Sequence, residues 1–229
     1  PPRVGGAGGR ESPGGADALL AAIGPGGTLL WARTADFGAG GDDAFYAVVP
    51  DGAGGVLAAG PADRGGNPLT HVAAYGPDGA LRFSRTLSLA GGAGEFPRAA
   101  ALAGSGVAAT LWVAADSGNQ LRLVALDPVD GSPRANGSIA AAGPVTVGSL
   151  APDPNGGAYV GASVAGATAD LLVARFDAAA SPAAGWPVAL DAGGDEGDRW
   201  PVAGARVGAD SGGVTVSGSA ELTACGVTR

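Results

Sequence analysis

The chain has 229 residues, enough for one large all-β domain or two ordinary ones, and its 46% hydrophobic content excludes general disorder. Thirteen basic residues against 21 acidic ones leave a formal charge of −8, so the chain cannot assemble the basic surface that phosphate binding needs. Nucleic acid and anionic membrane surfaces are thereby excluded as partners. The unusual composition is 44 Gly and 17 Pro set among short apolar runs, which is the pattern of many strands joined by tight turns. All thirteen basic residues are Arg, and Lys and Met are absent, a codon signature of a GC-rich bacterial genome. With Pro1 first and no initiator Met, the stretch reads as a mature or trimmed product.

In chain order, residues 1–17 form a Gly/Pro-rich segment. Residues 18–35 predict two strands joined by a Pro25-Gly26-Gly27 turn. Four strand candidates follow at Phe45 to Val49, Val56 to Ala59, Leu69 to Tyr75 and Leu81 to Leu87. The uncharged stretch from Ala99 to Ala115 is near membrane-spanning length, but Gly104-Ser105-Gly106 divides it into two strand-length halves, so a buried hairpin is expected and no transmembrane segment. Cys225, the single cysteine, excludes an intrachain disulfide framework and reads as a small apolar side chain in a terminal strand.

Laid on itself, the chain repeats. The anchors Ile23, Tyr75, Leu126 and Phe176 step by 52, 51 and 50, the first three leading into a Gly- or Pro-rich turn and the fourth matching more loosely. Gly55, Gly106, Gly157 and Gly213 step by 51, 51 and 56 and close a second turn before an apolar run. An aromatic recurs in the strand after the first turn, as Trp31, Phe83 and Trp186. A four-stranded meander with two apolar faces must stack on its neighbours, and radial stacking of such sheets is the β-propeller. The expected fold is therefore all-β, a β-propeller of four-stranded antiparallel blades of about 50 residues. It closes as four blades or forms part of a larger ring. With the innermost strand placed after the Gly-Asp loop, residues 42–88, 94–141 and 143–190 are whole blades, 18–35 and 200–221 half-blades, and 222–229 a C-terminal strand.

The string Ala18 to Thr34, followed by Gly40-Gly41-Asp42-Asp43-Ala44-Phe45-Tyr46-Ala47-Val48 and a Gly-Gly turn into Val56-Leu57-Ala58-Ala59-Gly60, resembles the bacterial SBBP-type β-propeller repeat. It is also similar to the delta-60 repeat. The resemblance implies secreted or cell-surface bacterial proteins whose motifs are structural and carry no assigned chemistry.

No residues form a catalytic or cofactor-binding constellation. The loops before the inner strands are acidic in three of four units: Asp42 and Asp43; Glu95; Asp195, Glu196 and Asp198. On one face of a ring these carboxylates are candidate ligands for a calcium ion. The competing reading is that Asp beside Gly caps backbone amides, and the third unit has Gly143-Pro144 and no acid there. His71, the only histidine, aligns with Leu19, Arg122 and Leu172 and reads as a strand-face side chain without a catalytic role. Trp31, Tyr75, Phe83, Trp186 and Trp200 read as core, with a rim aromatic available to stack on a glycan. The expected function is a non-enzymatic extracellular or cell-surface module, structural or protein-binding, within a larger assembly. A glycan- or small-ligand-binding propeller and a propeller hydrolase or lyase are the alternatives.

Overall fold

The computed structural model describes residues 3–4, 11–12, 15–37, 40–91, 94–165, 170–190, 206–210 and 213–217. Nineteen strands run through them: β1 (Arg3–Val4), β2 (Glu11–Ser12), β3 (Gly15–Ala16), β4 (Ala18–Ile23), β5 (Leu29–Ala35), β6 (Ala47–Pro50), β7 (Val56–Asp63), β8 (Pro68–Tyr75), β9 (Leu81–Leu87), β10 (Phe96–Ala103), β11 (Thr110–Ser117), β12 (Gln120–Leu126), β13 (Pro133–Ala140), β14 (Val145–Pro152), β15 (Ala158–Val164), β16 (Asp170–Phe176), β17 (Val188–Leu190), β18 (Arg206–Asp210) and β19 (Gly213–Ser217). The helix among them is a single 3-10 turn at Gly106–Ala108. All pairings are antiparallel.

Three sheets are four-stranded meanders: β6 to β9, β10 to β13 and β14 to β17, here sheets two, three and four. Sheet one is β1-β4-β5, sheet five is β18-β19, and β2 pairs with β3. The described strands do not close a ring, since β4 pairs with β1 and β5, and β19 pairs with β18. The first strands follow one another in space: β10 lies against β6 and β7, β14 against β10 and β11, and β18 against β14 and β15. The uncharged stretch from Ala99 to Ala115 is the β10–β11 hairpin, and no helix among the described residues is long and apolar enough to cross a membrane.

Period-two alternation explains why the sheets stack. In β7, Ala58 faces sheet one with Val56, while Leu57 and Ala59 face sheet three. The middle strands are thus buried on both faces, β7 and β11 almost along their whole length. Each of the three hydrophobic clusters is an interface between consecutive sheets. Leu20, Ala22 and Trp31 meet Ala73 and Tyr75; Leu57 and Val72 meet Leu111 and Val124; Trp112 and Leu123 meet Val147 and Phe176.

A second contact repeats at each interface. The turn between the third and fourth strands of one sheet receives the fourth strand of the sheet before it. Trp31 donates its indole N–H to the Pro77 carbonyl (2.9 Å), and Arg33 Nε donates to the Gly79 carbonyl (2.8 Å). One interface on, Arg85 Nε donates to the Asp130 carbonyl (2.7 Å), with Phe83 against Gly131. A side chain on Gly79 would stand 2.7 Å from the Trp31 ring, and one on Gly131 2.6 Å from Phe83. Both glycines also hold positive φ, +75° and +73°. At the third interface Ala135 and Gly137 replace the aromatic and the Arg, and the Ala180 carbonyl closes directly on Gly137. Ala180 itself takes the turn position at φ 58°, the one non-glycine in the left-handed region among the described residues.

The second glycine series divides. Gly55 and Gly157 lie against the Tyr75 and Phe176 carbonyls, whereas Gly106 opens the 3-10 turn and faces open space. The fixed spacing at Gly106 therefore marks a turn of a different kind.

Backbone contact between sheet two's own segments is equally close at Gly60, where a methyl would fall on the Ala44 carbonyl. Gly60→Ala is expected to lower stability by about 1–3 kcal/mol through overpacking, against about 1 kcal/mol for Gly65→Ala at φ +70° in open space, read from urea midpoints.

Candidate functional site

Among the described residues, six of the seven buried polar side chains, Asp43, Thr70, His71, Glu95, Asp116 and Ser117, gather at the end where loops enter the first strands; Asp153 lies at the other. The backbone explains the gathering. Asp43 N–H donates to the Ala16 carbonyl (2.7 Å), Glu95 N–H to Pro68 (2.7 Å) and Val145 N–H to Gly118 (2.8 Å), so each entering loop is held by backbone that precedes it, β3 in the first case and the preceding sheet in the others.

The carboxylates at these positions accept hydrogen bonds from their own entering loops and from the strands beside them. Asp43 accepts from the Phe37 N–H (2.6 Å) and the Asp63 N–H (3.2 Å). Glu95, fully buried, accepts from the Thr70 hydroxyl (2.7 Å) and the Ala90 N–H. Asp42 accepts from the Ala16 N–H (2.9 Å). Burial raises the Asp43 carboxyl above its ordinary value, with nearby Asp36 and Asp17 adding to it and the two amides opposing. Asp195, Glu196 and Asp198 lie outside the described residues, as do Trp200 and Cys225. Among the described residues no group of three or more His, Cys, Asp or Glu could hold a metal.

Acids at the strand connections cap turns. Asp51, Asp78, Asp127, Asp130, Asp153 and Asp177 each accept an amide two residues ahead, at 2.8 to 3.0 Å. Asp51 and Asp153 also pair with Arg82 (2.9 Å) and Arg175 (2.7 Å).

His71 is 3% exposed and stacks on Phe37, ring centroids 3.6 Å apart. Its Nδ1 meets the Thr86 hydroxyl (2.9 Å) and its Nε2 the Ser84 hydroxyl (3.0 Å), so a neutral ring donates to one and accepts from the other. Burial, with repulsion from Arg64, pushes its pKa down to about 4. Ser84 lines a cleft of about 410 Å³ between β5 and β9, together with Arg33, Thr34, Asp36, Phe37 and Tyr75. A serine beside an imidazole is the geometry of a nucleophile and its base. An imidazole this hard to protonate is a poor base, however, and Thr86 stands where a carboxylate would orient it. Its repeat-equivalent Arg122 reaches the Leu89 carbonyl (2.7 Å), one period from Phe37, so the position clasps the incoming loop in both sheets.

Tyr46, Phe96, Arg98 and Asp116 form a cluster that no sequence motif marks. Arg98 stands over both rings, 6.0 Å from Tyr46 and 5.4 Å from Phe96, and its Nε donates to Asp116 (2.6 Å). Asp116 also accepts the Val147 N–H (3.1 Å), tying β11 to β14; burial raises its pKa against the pull of Arg98. The two rings are 49% and 38% exposed at the mouth of the first strands. The only advance signal is Arg98 standing one period after Tyr46.

No family model matches this chain, and no curated protein matches it.

Two outcomes follow. Because the His71 pKa falls on folding, protonation favours the unfolded chain, so the stability this ring supplies is complete above pH 6.5 and is lost as pH falls towards 4. The stability gap between wild type and His71→Gln should narrow by about 3 kcal/mol between pH 7 and pH 4, while Asp43 and Asp116, raised by burial, push both proteins the opposite way and cancel. Glu95→Ala should cost about 1–3 kcal/mol by stranding the Ala90 amide and the Thr70 hydroxyl, with the same melting midpoint in calcium and in EDTA. A wild-type midpoint raised by calcium and lost in Glu95→Ala would support the metal-ligand reading.

Proposed function

We propose that the chain is a section of a β-propeller and works as a non-enzymatic protein-interaction module on the outside of a bacterial cell. Three successive four-stranded sheets, stacked through both faces with their first strands adjacent, support the propeller arrangement. Its resemblance to SBBP-type repeats supports the exported, surface-bound setting. The acids described in the entry loops are engaged with backbone amides and a hydroxyl, and the buried histidine is a weak base, which favours scaffolding over catalysis.

The observation that carries the binding role is the Tyr46–Arg98–Phe96 rim. Tyr and Arg are the side chains that most often dominate protein interfaces, and this Arg is held in place by Asp116, so little entropy is lost when a partner covers it. A photo-crosslinking residue at Tyr46 should capture one defined protein partner on the producing cell, and Phe96→Ala with Arg98→Ala should cut that capture at least about tenfold while the fold survives. Equal capture by wild type and variant would contradict the reading.

The cleft between β5 and β9 favours a second reading, a small polar ligand such as a sugar. Cleft-filling Ser84→Trp would abolish sugar binding and leave the crosslink at Tyr46 unchanged.

A further inference from the structure

Each turn between third and fourth strands is a receptor for the sheet before it, and among the described residues one such turn receives nothing. The turn at Gly24–Thr28 has the hydrogen bonds of its equivalent at Gly76–Ala80: Gly24 N–H to the Thr28 carbonyl (2.8 Å) and Gly27 N–H to Gly24 (3.0 Å), against 2.8 and 2.9 Å there. Gly27 also has the same left-handed φ, +80° against +75° for Gly79. Yet a side chain at Gly26 or Gly27 would meet nothing within 4 Å, where one at Gly79 or Gly131 would strike an aromatic ring.

The apolar anchors tell the same story. Tyr75, Leu126 and Phe176 are 4%, 0% and 0% exposed beneath the preceding sheet, whereas Ile23 is 38% exposed. Beside it, Leu29 and Leu30 are 64% and 54% exposed. Leu20, Ala22 and Trp31 pack on sheet two, so alternation turns Leu19, Ala21 and Ile23 to the opposite, open face.

We propose that this open face of sheet one docks a further β-sheet unit whose outermost strand carries an aromatic residue and an arginine two positions apart. The pattern is the one both side-chain latches use, Trp31 with Arg33 and Phe83 with Arg85, the arginine in each case donating to a turn carbonyl. Those two pairs are engaged with Gly79 and Gly131, so the donor is neither of them. The surface is separate from the Tyr46–Arg98–Phe96 rim and does not depend on it.

The test uses the full chain with the strand sequence of residues 81–87 joined to its amino end by a flexible Gly-Ser linker, which holds the probe near millimolar effective concentration. Hydrogen exchange of the Gly24 and Gly27 amides should slow roughly two- to tenfold, the range expected for a ligand whose dissociation constant is of that order or somewhat tighter. A tether with Ala in place of the counterparts of Phe83 and Arg85 should give no slowing, and it leaves the folded chain untouched. Equal slowing with the Ala tether, or none with either, overturns the proposal. Protection that rises with concentration in the untethered chain would identify a second copy as occupant and overturn the assigned donor.

Discussion

The structure depends on its four-stranded sheets being apolar on both faces. A four-stranded meander whose middle strands are buried along both sides cannot stand alone, so every sheet is stable only as a neighbour. The latch between one sheet's last strand and the next sheet's turn converts that general need into a fixed register. At the first two interfaces a glycine at positive φ opens the turn, a ring fills the space over it, and an arginine two residues on takes a turn carbonyl; at the third, Ala180 closes directly on Gly137. Apolar burial supplies most of the energy, while the latch sets which residues meet.

The same constraint explains the polar chemistry. A loop that enters a buried first strand carries amides that must be satisfied, and Asp43 and Glu95 satisfy them. Asp43 and Glu95 stand on separate loops, each engaged with backbone amides or a hydroxyl beside it. His71 and Arg122 do related work one strand over, gripping the loop that arrives from the sheet before. The Tyr46–Arg98–Phe96 rim faces outward at that end.

Much of this was legible in the residues. The period located the turns, and Leu81 to Leu87 and the Ala99 to Ala115 hairpin occur where expected, because Gly and Pro fix turns locally and alternation fixes faces. The first strand of sheet two starts at Ala47 and not at Phe45, since Phe45 is drawn into the cluster with Phe37 and Tyr75. Ala180 hid the fourth turn, because its left-handed φ is imposed by packing on Gly137 and not by its own preference. The latch was illegible because its partners stand 46 residues apart and neither half is unusual alone. Asp116 was missed for a similar reason: an acid inside a strand has no local signature, and only its contacts with Arg98 and Val147 give it a role.

Native-state hydrogen exchange on Trp31→Ala and Phe83→Ala tests the coupling between sheets most directly. The account predicts that the first substitution speeds exchange across the Gly76–Ala80 turn and the second across the Asp127–Ser132 turn, each in the following sheet. Exchange that changes only within the mutated strand's own sheet would contradict it.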